Sequence, residues 1–257
     1  MDRQQLASPA RLPWGSLLLA ALVTLLPGCA TRLEAPGLRF QTSAIGTDGT
    51  VLAFEDLRPG DIILSSAPTL SSAGIQLLTF APVSHAALYI GEGRVVEAIP
   101  PRVQVRFLER LLAEEDMAFV LRDPGLSDEQ AARMAEYALG QTGAAFSYFG
   151  VTLQAPFSLS RRLCELPLVP SALRDACLRG LGLVHYLASS ETRFFCSQLV
   201  LKAYARAGTP LTSADPRMIA PADILHMREG DVPSVRIRQP LRVVGHLKHA
   251  AFAVAAR

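Results

Sequence analysis

The chain has 257 residues, 50% of them hydrophobic and 19% charged, with a mean hydropathy of +0.26. Intrinsic disorder, which needs low hydrophobicity and high net charge, is excluded, and the length suits one domain or at most two. The net charge of +2 comes from 25 basic and 23 acidic residues with no basic block, so no nucleic-acid partner is expected.

The N-terminus carries part of the apolar excess. Arg3 and Arg11 precede the uncharged run Trp14 to Leu26. A spanning helix needs about 20 apolar residues, so this run is too short to cross a membrane. It matches a secretory signal, a basic start followed by about 7–15 apolar residues. The run ends Leu26-Pro27-Gly28-Cys29, which resembles a bacterial lipobox with Cys29 as the lipidated residue. Ala30, not Asp, follows the cysteine, and the sorting pattern this resembles then implies the outer membrane, facing the periplasm. Residues 1–28 are therefore expected to be a lipoprotein signal peptide and 29–43 a tether without clear periodicity. Loss of residues 1–28 removes Asp2, Arg3 and Arg11 and leaves a nearly neutral remainder. Anchoring would then depend on acyl chains and not on a polybasic patch.

Residues 44–257 read as a single mixed domain. Pro59-Gly60 is a turn signal, and Asp61 opens the run Ile62-Ile63-Leu64, a first strand, with Asp61 as its turn or cap. A short helix and loop are expected over Ala67 to Thr79. His85 to Ile90 and Arg94 to Ile99 are strands joined by the tight turn Gly91-Glu92-Gly93. Val103, Val105 and Phe107 alternate with Gln104 and Arg106, giving another strand, and Ala118 to Leu121 gives a fifth. Ser127 with Gln130 forms a capping box for a helix carrying Ala131, Met134, Ala135, Ala138 and Leu139 and ending at Gly140. Residues 151–190 form a Pro-, Leu- and Arg-rich apolar insertion, with a helix expected from Ser171 to about Leu181. Cys196 to Ala207 is a helix with Leu199, Val200, Ala203 and Tyr204 on one face. Val235, Ile237 and Val243 suggest a last strand. Hairpin-linked strands between helices favour α+β, an antiparallel sheet packed against helices, over a doubly wound fold.

Three positions stand out chemically. His85 starts a strand, and Glu97 lies across the hairpin turn from it, where it becomes a cross-strand neighbour of the imidazole. Cys196 sits where an extended segment meets a helix. Free N–H donors and the positive end of the helix dipole favour the thiolate there, and the thiolate is the nucleophile. A nearby imidazole would act as its base, a third polar group would orient the ring, and a backbone N–H would stabilise an oxyanion.

The segments around these positions resemble a known family. Leu57-Arg58-Pro59-Gly60-Asp61-Ile62-Ile63 is similar to the strand entry of NlpC-type cysteine peptidases, and Ser84-His85-Ala86-Ala87-Leu88-Tyr89-Ile90-Gly91 to their histidine strand. In ordinary members the cysteine helix comes first. Here Phe195-Cys196-Ser197-Gln198-Leu199-Val200 comes long after the histidine. That order resembles the circularly permuted papain-like branch, the YiiX/YaeF/YebB-type amidases, an order shared by the lecithin:retinol acyltransferase family. Pro221-Ala222-Asp223-Ile224 extends the likeness beyond the cysteine helix. The resemblance implies a permuted papain-like (NlpC-type) fold, Cys196 as nucleophile, His85 as general base and Glu97 in the orienting place. The acyltransferases usually carry a second histidine there, so glutamate favours the amidase side. Phe146-Ser147 departs from the pattern, where something closer to Tyr-Asp is expected, as does the length of the insertion. Both bear on the substrate cleft.

The implied activity is a thiol hydrolase cleaving an amide through a Cys-His-Glu triad and an acyl-enzyme. A peptide, a peptidoglycan fragment or a lipid amide would be its substrate. The alternatives are an acyltransferase, thioesterase or phospholipase on the same fold, or a non-catalytic envelope-binding lipoprotein. His185, His226, His246 and His249 show no metal-ligand spacing with the cysteines, so neither metal nor cofactor is expected. Cys164 and Cys177 are a candidate disulfide for an oxidising periplasm.

Overall fold

The computed structural model describes residues 31–34, 37–40, 50–79, 81–148, 150, 192–228, 237–238 and 240–248, with scattered positions between 157 and 180. Two short strands, β1 (Thr31–Glu34) and β2 (Gly37–Phe40), pair antiparallel by themselves. The tether expected over 29–43 thus contains a hairpin that its mixed sequence did not signal. The body holds β3 (Ile62–Ser66), α1 (Leu70–Thr79), β4 (His85–Gly91), β5 (Arg94–Ile99) and β6 (Arg102–Phe107). It continues with α2 (Leu108–Glu114), β7 (Met117–Arg122), α3 (Asp128–Gly140), α4 (Cys196–Arg206), α5 (Pro221–His226) and β8 (Arg242–Lys248). β3 to β8 form one sheet in the order β6-β5-β4-β3-β7-β8, antiparallel throughout. The α+β architecture expected from the sequence is the one observed.

Local chemistry accounts for the elements that carry the site. The β4–β5 turn is made by Glu92 and Gly93, both at positive φ (54° and 66°), with Gly91 opposite Arg94. Two central residues with φ > 0 twist a hairpin in the sense its strands prefer. Before β3, Gly60 sits at φ 96°, donates to the Tyr89 carbonyl at 2.8 Å and accepts the Tyr204 hydroxyl at 2.6 Å. A side chain is strained in that conformation. Asp61 closes the same turn by accepting the Arg58 N–H at 2.8 Å. α3 starts with the reciprocal cap read from the sequence: Gln130 N–H to Ser127 Oγ at 3.2 Å, and Ser127 N–H to Gln130 Oε1 at 3.0 Å.

Strand alternation divides the core between the two faces of the sheet. Ile62, Leu64, Ala86, Leu88, Val96, Val103, Phe119 and Leu121 face α3 and α4, which bury Met134, Ala138, Leu199, Val200, Ala203 and Tyr204 against them. Each large side chain so buried contributes roughly 1.5–3 kcal/mol. On the other face Ile63, Ala87, Tyr89, Val95, Ala118 and Val120 pack under Leu57 and under Leu108 and Leu111 of α2.

The body departs from the sequence reading at α2 and at the last strand, and agrees with it in the insertion. α2 was not anticipated, because its few apolar positions are wedged between two strands in a helix of two turns. The last strand is Arg242–Lys248, Ile237 makes only an isolated bridge to Thr212, and Val235 lies outside the described residues. In the insertion, the described positions 172, 173, 176, 177, 179 and 180 are helical. Cys164 and Cys177 are disulfide-bonded with Cα atoms 6.0 Å apart, and Arg161 pairs with the buried Asp223 of α5. The signal run and Cys29 lie outside the described residues, among which no helix is long and apolar enough to cross a membrane.

Candidate active site

His85 is the first residue of β4 and pairs directly with Ser65 of β3. Its ring therefore sits at the end of the sheet. Across the hairpin Leu88 pairs with Val96 and Tyr89 with Val95. That register sets Glu97 diagonal to His85 on the same face, within reach of long side chains. His85 Nε2 and Glu97 Oε2 are 2.6 Å apart, with the His85 side chain 13% exposed and that of Glu97 1%. The other oxygen, Oε1, accepts Arg106 Nη1 at 2.9 Å from the neighbouring strand β6. Both carboxylate oxygens are thus engaged, one by the ring and one by a guanidinium.

Cys196 reaches this corner from the opposite face. It is the first residue of α4, and its N-cap, Phe195, supplies no side-chain cap. The segment before it is fixed by a relay of backbone bonds. Val103 N–H donates to Ala144 O, Phe146 N–H to Pro101 O, Phe194 N–H to Ala145 O and Ser147 N–H to Phe194 O, at 2.8–3.1 Å. The strand that supplies Arg106 therefore also positions the turn into α4. Gly150 approaches the same turn so closely that a Cβ there would meet the Phe195 ring at 2.9 Å and Ser147 Oγ at 2.7 Å. The departure at Phe146-Ser147 thus falls on the wall beside Cys196. The thiol is the free cysteine of the described residues, 8% exposed.

Helix and strand meet because His85 begins its strand. At that end of the sheet its ring interacts with the Cys196 side chain at the α4 terminus. With Nε2 on Glu97, Nδ1 is the nitrogen left for the thiol proton. Burial alone would lower the imidazole pKa, but the Cys196 side chain and the Glu97 carboxylate outweigh it and hold it well above the ordinary value. For Glu97, burial would raise the pKa, and His85 with Arg106 brings it below the usual carboxylate range. The site thus favours a charged ring on a charged carboxylate.

Residues that the sequence reading did not single out surround this pair. Glu114, the last residue of α2, takes Arg106 Nη2 on Oε1 at 2.6 Å. Glu115 follows it, and its carboxyl lies within electrostatic reach of both His85 and Glu97. Burial, foremost, and the nearby Glu97 and Glu114 raise its pKa. Glu115 Oε2 and the fully buried Ser65 Oγ have no hydrogen-bond partner of good geometry. One signal for Arg106 was available: alternation along β6 puts Gln104 and Arg106 on the face that carries Glu97.

His226 and His246 are buried on α5 and β8, the latter against the Phe119 ring, with centroids 6.2 Å apart. His185 and His249 lie outside the described residues. Among the described residues no three His, Cys, Asp or Glu side chains converge as metal ligands do.

No family model matches the chain. It is 34% identical over 225 residues to the probable lipoprotein peptidase YaeF of Escherichia coli (strain K12), covering 86% of this chain and 82% of that protein. Among solved structures, the metalloprotein yiiX of Escherichia coli O157:H7 aligns at 20% identity with a TM-score of 0.44. That alignment covers 74% of this chain and 97% of the yiiX chain.

Proposed function

The chain belongs to the family of the probable lipoprotein peptidase YaeF, and on that premise we propose that it is a lipid-anchored, papain-like thiol hydrolase of amide bonds, with Cys196 as nucleophile, His85 as base and Glu97 as orienting carboxylate. One observation carries this reading. A half-buried imidazole holds a carboxylate on Nε2 and interacts with the free cysteine of the described residues, at a helix N-terminus. That arrangement suits acyl transfer to sulfur.

In the first half-reaction the Cys196 sulfur attacks the amide carbonyl carbon and the C=O π pair moves to oxygen. The Cys196 backbone N–H, in the first turn of α4 where Phe195 offers no side-chain cap, is available to the oxyanion. Collapse breaks the C–N bond, and His85 delivers its proton to the departing amine, leaving a thioester on Cys196. In the second half-reaction water adds to the thioester while His85 takes its proton, and the carboxylic acid leaves as sulfur is released. Glu97 keeps its charge throughout and holds the ring by one oxygen.

The relative's name directs the substrate reading to peptides. Cell-wall stem peptides fit an envelope protein anchored through Cys29 and facing the periplasm, and lipid amides are the second class. The test uses the purified full-length protein with peptidoglycan fragments and, separately, N-acyl amides, scored by mass spectrometry of released amine and acid. Wild-type cleavage, a thioester adduct at Cys196 and a loss of roughly 10³-fold or more in Cys196→Ala are expected. Undiminished cleavage by Cys196→Ala would contradict the mechanism.

A further inference from the structure

We propose that Arg106 is a positioning residue for this reaction, clamped by Glu114 so that it fixes the Glu97 carboxylate with one oxygen turned to His85. The inference rests on the thiol-hydrolase reading and extends it from a triad to a longer chain of side chains. In that chain Glu114 grips Arg106 at 2.6 Å, Arg106 grips Glu97 at 2.9 Å, Glu97 grips His85 at 2.6 Å, and His85 faces Cys196.

The geometry gives Arg106 a task that packing does not explain. Its side chain is 10% exposed, a poor place for a guanidinium unless its donors are used. A glutamate with a single imidazole partner can rotate about its terminal torsion, which has broad wells. A guanidinium on the second oxygen removes that freedom. Arg106 comes from β6 and His85 from β4, on the two sides of β5, so Glu97 is held from both flanks. Glu114 is placed at a cost: it ends α2, whose last turn has no basic residue, and a carboxylate is unfavourable at the negative end of a helix dipole. Arg106 at 2.6 Å offsets that cost, together with the exposed Arg110 of the same helix at 3.6 Å.

Charged and polar neighbours come from several elements. Glu97 meets His85 from β4, Arg106 from β6 and Glu115 from the α2–β7 connection, with Gln104 paired opposite it. His85 meets Cys196 from α4 and Glu115 from the α2–β7 connection, and lies opposite Ser65 of β3. Arg106 repels the imidazolium directly, but it is the more distant charge, and its larger effect runs through Glu97. With Arg106 gone, the carboxylate loses its orientation and part of its charge stabilisation, and the imidazolium loses its support.

The test is the pH profile of Cys196 alkylation by iodoacetamide, followed by intact mass, in wild type, Arg106→Met, Arg106→Lys and Glu114→Gln. Folding is checked by thermal melts. The rising limb is expected about one pH unit higher in Arg106→Met. Lys keeps the charge without the planar fork and should recover part of that shift. Glu114→Gln, at a half-exposed position, should move the limb the same way by less, and it serves where Arg106→Met does not fold. A limb that superimposes on the wild type in the folded variants, or moves to lower pH, overturns the assignment of Arg106. A wild-type protein that is not alkylated at Cys196 overturns the thiol-hydrolase reading itself, and the two failures are thereby distinct.

Discussion

Two carboxylates, Asp61 and Glu97, are each 1% exposed, each sits on the central sheet region, and each is held by an arginine. Their surroundings differ in one respect. Asp61 takes Arg122 Nε at 2.6 Å and Nη2 at 2.7 Å and the Arg58 N–H at 2.8 Å, so every partner is permanently charged or is backbone. Glu97 gives one oxygen to Arg106 and the other to an imidazole that itself faces a thiol. The first is closed and serves the turn between Leu57 and β3. The second ends on an imidazole, a group that can take up and hand on a proton. A buried acid–arginine pair is therefore structural or chemical according to what occupies its remaining oxygen.

Exchanging the two acids for amides sharpens the contrast. Glu97→Gln keeps the shape and removes the charge that orients and supports His85. On the proposed mechanism, hydrolysis per folded molecule is expected to fall on the order of 10⁴-fold, the loss seen when the Asp of a Ser-His-Asp triad becomes Asn, and steady-state kinetics measures it. Asp61→Asn breaks a buried ion pair and should cost about 3 kcal/mol of stability in denaturant titration. Its activity per folded molecule should stay unchanged. An Asp61→Asn protein that is stable but inactive would dissolve the distinction between the two sites.

The smallest effect is the pH dependence of stability, and its sign follows from the directions of the shifts. Glu97 is depressed in the folded state, so its contribution is complete above the unfolded carboxylate value, about 4.3. It is lost as the pH falls through the lower folded value. His85 is raised, so its contribution is complete below about 6.5 and is lost as the pH rises through the higher folded value. Thermal melts across pH should show both slopes in the wild type and a flatter curve in Glu97→Gln.

Much of this was legible in the sequence. The strands from Ile62 to Arg122 announce themselves by apolar runs, by alternation in β6 and by Pro-Gly and Gly-Glu-Gly turns, and α3 by its capping box. The candidate residues were legible as separate motifs, because a histidine opening a strand and a cysteine opening a helix are local features. What was missed is non-local. Arg106 reads as one polar residue in an alternating strand, and only the β5–β6 register turns it toward Glu97. Glu114 and Glu115 reach the site because α2 folds back over the sheet, and α2 is too short for a periodic signal. β8 carries a 40%-exposed Val243 and a glycine at Gly245, so its burial pattern does not mark it as a strand.

The central claim is that His85 is held charged between Glu97 and Cys196, and the direct measurement is an NMR pH titration of the His85 ring in the folded, reduced protein. A midpoint well above the ordinary imidazole value of 6.5 is expected, falling when Glu97 becomes Gln. A ring that titrates at or below 6.5 in the folded wild type would contradict it.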